Sequence, residues 1–261
     1  ASAPTLYYYC TQPSGMGGQA NTNSTFGSSN FSGSVQTTVS ANVSAGFSIV
    51  SYTGTGSVGT FGHGLGAKPN VMIQKKRSGS AAWTVYHDKV ASDPATDYLY
   101  LSSLAAKSDY AGHFNDTEPT SSVFTLGTDT SVNGSGATNI MYCFAEKKGY
   151  SKFGSYQGNG STNGPTIVTG FKPALVIIKE TSDTGHWCMS DNKRDGYNPT
   201  KNIYADLSNI ENTANTVDHY SNGFKIRSTG GSVNTSGSNM IYMSFAESPF
   251  VNSNGVPNNA K

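Results

Sequence analysis

The chain states one pattern twice. Residues 52–89 (YTGTGSVGTFGHGLGAKPNVMIQKKRSGSAAWTVYHDK) align without a gap on residues 156–193 (YQGNGSTNGPTIVTGFKPALVIIKETSDTGHWCMSDNK). Tyr52 meets Tyr156, Gly54 and Gly56 meet Gly158 and Gly160, and Trp83 meets Trp187. Gly66, Lys68 and Pro69 meet Gly170, Lys172 and Pro173. A second block, SVNGSGATNIMYCFAE at 131–146, returns as SVNTSGSNMIYMSFAE at 232–247. The offset falls from 104 to 101 between the blocks, so about three residues are lost in the middle loops. A solenoid unit runs to roughly 20–50 residues, so a period this long marks a duplicated domain. Residues kept in both copies serve the shared framework. Residues found in one copy only are free of that duty.

Each copy reads as short strands joined by turns. Pro69 and Pro173 start two runs, 70–76 (NVMIQKK) and 174–179 (ALVIIK), that are apolar on both faces and therefore predict interior strands. Further strands are expected at 47–52, 82–87, 98–101, 122–126 and 140–145, with counterparts at 186–190, 203–207, 223–226 and 241–246. Turn signals recur between them, and helical periodicity is scarce; only 206–215 has room for a short helical turn. The expected class is all-β: two tandem homologous β-sandwich domains, jelly-roll or lectin-like, at 46–149 and 150–250. An extended Gly/Ser/Thr/Asn-rich arm (1–45) precedes them, and a tail (251–261) follows. Residues 6–9 (LYYY) form a strand candidate in the arm, and its spaced phenylalanines favour a packing arm over a plain linker. Only 147–149 separate the copies, so the two should touch.

Composition removes several function classes. Charged residues make up 13% of the chain and the formal net charge is +1, which leaves no basic footprint for nucleic acid or a polybasic membrane surface. No run approaches the ~18–20 apolar residues of a membrane-spanning helix. The three cysteines, Cys10, Cys143 and Cys188, are not shared between copies, so no disulfide belongs to the common fold. Free thiols point to assembly in a reducing cytoplasm. No cysteine or histidine spacing suggests a metal site, and no cofactor is expected.

The chemistry-bearing candidates are few. Gly54-x-Gly56 and Gly158-x-Gly160 lack the following helix of a phosphate loop and read as turns needing positive φ. His63 lies among glycines in FGHGLG, as a solvent-facing loop histidine or a ligand contact. Trp83 and Trp187 are either core anchors or sugar-stacking platforms. The strand after Trp83 ends in His87–Asp88, which lacks a nucleophile-elbow serine to work with. The densest charge cluster is DNKRD at 191–195, followed by Gly196 and Tyr197. The candidate ligand-binding set is thus Trp187, Asp191, Lys193, Arg194, Asp195, Tyr197, His63, Trp83 and His87, with no catalytic residue. Glu146 and Glu247 end equivalent strands of separate copies and do not form an acid pair across one cleft.

The motifs at 52–56 (YTGTG), 63–69 (HGLGAKP), 83–87 (WTVYH), 131–136 (SVNGSG) and 142–146 (YCFAE) resemble a tandem-repeat β domain of tailed-bacteriophage virion structural and tail-fibre proteins, of the marine and cyanophage type. Copy two carries them in weaker form, without the His-Gly-Leu. The resemblance spans about 47–250 and is similar in pattern to concanavalin-like sandwiches. It implies a non-enzymatic virion surface protein: a tail-fibre, receptor-binding module contacting host surface polysaccharide, or a capsid decoration protein held by its N-terminal arm. The partners it implies are other virion proteins and further copies of the chain, as a trimer. The place it implies is the virion surface, after assembly in the host cytoplasm.

Overall fold

The computed structural model describes residues 6–9, 17–20, 27–194 and 198–247. Among the described residues, strands β1 (Leu6–Tyr9) and β2 (Gly17–Ala20) pair only with each other. Copy one then contributes β3 (Ser28–Asn30), β4 (Thr37–Asn42), β5 (Phe47–Thr53), β6 (Gly59–Gly62), β7 (Val71–Lys76), β8 (Thr84–His87), β9 (Asp97–Tyr100), β10 (Ser108–Asp109), β11 (Val123–Leu126) and β12 (Thr138–Phe144). Two four-residue helices interrupt it, α1 (Ala111–Phe114) and α2 (Thr130–Asn133). Copy two contributes β13 (Ser151–Gln157), β14 (Thr166–Val168), β15 (Pro173–Glu180), β16 (Cys188–Asp191), β17 (Thr200–Tyr204), β18 (Asn212–Tyr220), β19 (Gly223–Ile226), helix α3 (Gly231–Asn234) and β20 (Asn239–Ala246).

The architecture is all-β, built from large antiparallel sheets in a sandwich-like layout. One sheet runs β10-β9-β8-β7-β12-β5-β4-β3, with the pair β11-β6 apart from it; the other runs β13-β20-β15-β16-β17-β18-β19-β14. The order β5-β12-β7-β8-β9 recurs as β13-β20-β15-β16-β17. Between β9 and β11 the first copy makes β10 and α1, whereas between β17 and β19 the second makes the nine-residue β18. The three residues lost between copies fall in this excursion.

Three cores hold the molecule. Val50, Tyr52, Phe61, Phe124 and Met141 centre the first, and Val176, Phe224, Ile226 and Tyr242 the second. The third joins Val71, Val85 and Leu99 of copy one to Phe153, Trp187, Ile241 and Met243 of copy two. This explains the two apolar faces of β12 and β20. Met141 and Cys143 look into the first core while Phe144 looks toward copy two, and Met240 and Tyr242 alternate with Ile241 and Met243 in the same way. Burying such side chains contributes roughly 1.5–3 kcal/mol each, so the two copies are packed together rather than strung on a linker.

Three expectations change. Within the stretch expected as arm, β3 and β4 are sheet strands: β4 pairs along β5 and alternates Thr37 and Val39 inward, with Val35 packed on the first core. The helical turn expected at 206–215 is not formed; β18 starts at Asn212, and Thr216 and Val217 suit a pleated strand. The lone arm strand expected at 6–9 is one side of the β1–β2 hairpin. Residues 10 and 248–261 lie outside the described residues.

Candidate binding site

The repeated motifs are structural. The Tyr52 hydroxyl donates to the Val132 carbonyl at 2.8 Å, and Tyr156 repeats this on Val233 at 2.6 Å. Asn133 accepts from the Thr55 amide and donates to the carbonyls of Ser57 and Gly127, at 2.9, 2.7 and 2.8 Å. Asn234 does the same with Asn159, Ser161 and Ser228, at 2.9, 2.8 and 2.8 Å. A Cβ on Gly54 would lie 2.3 Å from the Gly134 oxygen, and one on Gly158 2.2 Å from that of Thr235, so only glycine fits. Tyr-x-Gly-x-Gly and Ser-Val-Asn are thus two halves of one clamp that recurs in each copy.

The residues singled out in the sequence do not gather into one site. His63 is fully buried, which corrects its expected place in a solvent-facing loop. Its Nδ1 accepts the Leu65 amide at 3.2 Å, so the ring proton sits on Nε2 and points at the Thr120 carbonyl, 3.3 Å away. Burial lowers its pKa. Thr169 plays this part in copy two, its hydroxyl accepting from the Phe171 amide. The gap-free correspondence therefore slips by two residues here, and it hid the equivalence of His63 and Thr169. His87 is built alike: Nδ1 accepts the Lys89 amide at 3.1 Å and Nε2 donates to the Tyr242 carbonyl of copy two at 3.2 Å. Burial pushes its pKa down to about 4, against the opposite pull of Asp88.

The two tryptophans part company. Trp187 is 2% exposed in the core between the copies, and its indole donates to the Tyr100 carbonyl at 2.9 Å. It is an anchor, with no face left for a sugar. Trp83 is half-buried, near-parallel to Tyr142 (6.4 Å between centroids, 17°), with Lys75 Nζ 5.7 Å from the ring centroid. In the charged loop, Asp191 accepts from the Lys193 and Arg194 amides at 3.0 and 2.9 Å and pairs with the Arg194 guanidinium at 2.9 Å. Lys193 pairs with Glu247, which Lys172 also reaches at 2.7 Å; these bonds hold the Glu247 carboxyl down to about 2. Asp191, Lys193 and Arg194 thus satisfy one another and the end of β20. Asp195 and Tyr197 lie outside the described residues.

A different place carries features unique to one copy. A recess of about 160 Å³ opens in copy two between β16, β17, β18 and the loop into α3. Its polar walls are Asn202, Tyr204, Asn212, Thr216, Ser228 and Ser232, over Cys188 and Val233. Asn202 is 1% exposed; its Oδ1 accepts the Thr216 hydroxyl at 2.6 Å, while its Nδ2 has no partner among the described residues. The Tyr204 hydroxyl accepts from Asn212 Nδ2 at 2.8 Å. Beside Tyr204 stands His186, 4.7 Å between ring centroids, with its Nδ1 2.7 Å from Asp206 Oδ2. The His186 amide donates to Ser232 at 3.0 Å and the Trp187 amide to Asp206 Oδ1 at 3.0 Å, which fixes this rim to the recess.

Copy one closes the same place. Strand pairing puts Thr84 opposite Tyr100 and Cys188 opposite Tyr204, so Asn202 corresponds to Tyr98 and Ser232 to Ser131. His113 of α1 fills the gap between them: its ring lies 4.1 Å from Tyr98, and its Nε2 is 3.4 Å from Ser131 Oγ and 3.7 Å from Asp129. Tyr100 and Tyr110 flank it at 6.1 and 5.3 Å. His186 and Asp206 stand where copy one has Ala82 and Ser102. The sequence reading missed His186, Asn202, Tyr204 and Asp206. The signal lay in the repeat itself: His186, Asn202 and Asp206 stand where copy one has Ala82, Tyr98 and Ser102, beside Trp187 and Tyr204, whose residue types the copies share.

A wider groove of about 430 Å³ on copy one, lined by Thr38, Ser51, Thr53, Arg77 and Thr138 among others, is shallow and contains no buried unpartnered polar atom. Among the described residues no three His, Cys, Asp or Glu side chains are grouped to hold a metal, and no helix is long and apolar enough to cross a membrane. Residues 20–249 match the family DUF7483, described as a domain of unknown function. No curated protein and no solved structure matches the chain. The family match runs through both copies and the strands β3 and β4 as one unit.

Proposed function

We propose that this chain, which belongs to the DUF7483 family, is a non-enzymatic virion surface protein of the tail-fibre, receptor-binding kind that contacts host surface glycan through its second copy. One observation carries the binding part. The chemistry-bearing differences between the copies, His186, Asn202 and Asp206, converge on a recess that copy one fills with Tyr98 and His113. The virion part rests on the resemblance of the repeated motifs. In this reading the copies are homologous lectin-like sandwich domains that arose by duplication. Copy one and the third core act as the mount, and copy two meets the ligand. Sparse charge and many tyrosines suit a neutral, hydrogen-bonding surface.

A second reading, capsid decoration through the N-terminal segment, is favoured by the hairpin β1–β2, which among the described residues pairs with neither large sheet. Two measurements separate the readings. Immunogold labelling of virions carrying the protein places it at the tail tip for the first and over the head for the second. Retention of the purified chain on an array of bacterial surface polysaccharides is expected for the first. A chain that labels the head and is retained by no polysaccharide would reject it.

A further inference from the structure

Resting on that reading, we infer that the recess of copy two takes one uncharged sugar residue, inserted from the α3 side, with Asn202 as its buried hydrogen-bonding floor and Tyr204 as its ring wall. Size comes first. About 160 Å³ is well short of the ~300–1,000 Å³ of drug-sized ligand sites, so the recess holds a single ring rather than an extended oligosaccharide.

Chemistry comes next. The walls offer amides and hydroxyls, and among the described residues no charged side chain lines the recess. An anion there would lose its water without gaining a cation, which is costly. The nearby Asp206 carboxylate is already held by His186 and the Trp187 amide, so a cation gains little. A ring carrying several hydroxyls both donates and accepts, which matches walls of mixed donors and acceptors. The buried Asn202 Nδ2 is the sharpest pointer. An unmet buried donor costs about 1–3 kcal/mol, and an acceptor oxygen on the ligand meets it. The half-buried Tyr204, backed by His186, supplies an aromatic wall for the C–H face of a sugar ring.

The comparison between copies supplies independent support. The same framework in copy one closes this place with an aromatic cluster around His113. Folding therefore does not require the opening, and copy two leaves a buried amide unmet within it.

The test is saturation-transfer NMR on the full chain with methyl glycosides of glucose, galactose, mannose, fucose and N-acetylglucosamine. Two variants accompany the wild type. Asn202→Leu removes the floor donor. Gly231→Tyr plugs the mouth, where a Cβ meets only the Thr235 hydroxyl at 3.6 Å, so the fold tolerates it. Lys68→Ala, in a surface ion pair, is the control. The expected result is transfer to at least one neutral glycoside, abolished by Gly231→Tyr, weakened at least tenfold by Asn202→Leu and untouched by Lys68→Ala. Transfer that survives Gly231→Tyr, or transfer confined to acidic sugars, overturns the assignment. No transfer at all, with the wild type still retained on bacterial polysaccharide, overturns the recess and leaves the adhesive reading standing. No transfer and no retention overturn both.

Discussion

At one place the two copies answer the same geometric problem in opposite ways. Thr84 and Tyr100 pair across β8 and β9 as Cys188 and Tyr204 pair across β16 and β17. Above this shared floor, copy one packs Tyr98 against His113, while copy two leaves Asn202 facing a recess. The clamp, tyrosine on valine carbonyl and asparagine on three backbone groups, is the same in both copies. Duplication thus separates roles: the invariant clamp keeps the fold, and the excursion between β17 and β19 is free to change. The copies also differ in their tryptophans. Equivalence in sequence survives while equivalence in environment does not, because the copies pack against each other through faces that are not interchangeable.

The largest expected effect breaks the apparent equality of those tryptophans. Trp187→Ala removes a fully packed aromatic from the core between copies and should cost about 3–5 kcal/mol in denaturant unfolding. Trp83→Ala, which removes a half-buried ring with one cation above it, should cost about 1 kcal/mol. Equal losses would mean that the third core does not hold the copies together.

The next effect is a pH dependence that belongs to copy one's side of that contact. His87 has its pKa lowered to about 4 in the fold, against about 6.5 unfolded. Between those values the unfolded chain binds a proton that the folded chain refuses. Stability is therefore full above about pH 6.5 and falls as pH drops toward 4, by roughly 3 kcal/mol from this group. The lowered pKa values of His63, His113 and His219 act in the same direction. His87→Gln should flatten the acid limb of a stability–pH curve, and an unchanged limb would show that His87 titrates normally. Its counterpart in copy two is Asp191, which pairs with Arg194 in the charged loop.

A smaller effect should be equal in both copies. Asn133→Ala and Asn234→Ala each strand backbone groups that the amide satisfied, and each should cost about 2 kcal/mol. A difference above about 1 kcal/mol between them, in chemical denaturation, would show that the clamp carries unequal weight and that the copies are less alike than their hydrogen bonds imply.

Much of this framework was legible in the letters. The double-faced apolar runs at β7 and β15 marked interior strands, and each lies between two neighbours in its sheet. The turn glycines Gly56 and Gly160 sit at positive φ, as the turn reading of their motif requires. The face-to-face packing of the sheets was not legible, because an apolar residue does not say which neighbour covers it. That is why the sequence leaves Trp187 open between core anchor and sugar-stacking platform, whereas the fold buries it. His63 misled for a different reason: glycine-rich flanks signal a loop, but tight backbone turns also bury a ring that hydrogen-bonds its own chain. The recess escaped because its parts, Asn202, Tyr204 and Ser232, come from two strands and a distant loop that no local motif links.

The smallest expected effect sharpens the comparison from the other side. The loop after β16 is the most charged in the molecule, and Lys193 reaches Glu247 from a side chain that is 74% exposed. Solvent screens such a pair, and Glu247 keeps Lys172 as a second partner. Lys193→Ala should therefore change stability by less than about 0.5 kcal/mol, with the effect vanishing in high salt. Its readout for function is the polysaccharide array. If retention also stays unchanged, the loop is solvated framework and the recess alone distinguishes copy two. If retention collapses while stability holds, the contact surface extends from the recess to the end of β20, and the charged loop belongs to it after all.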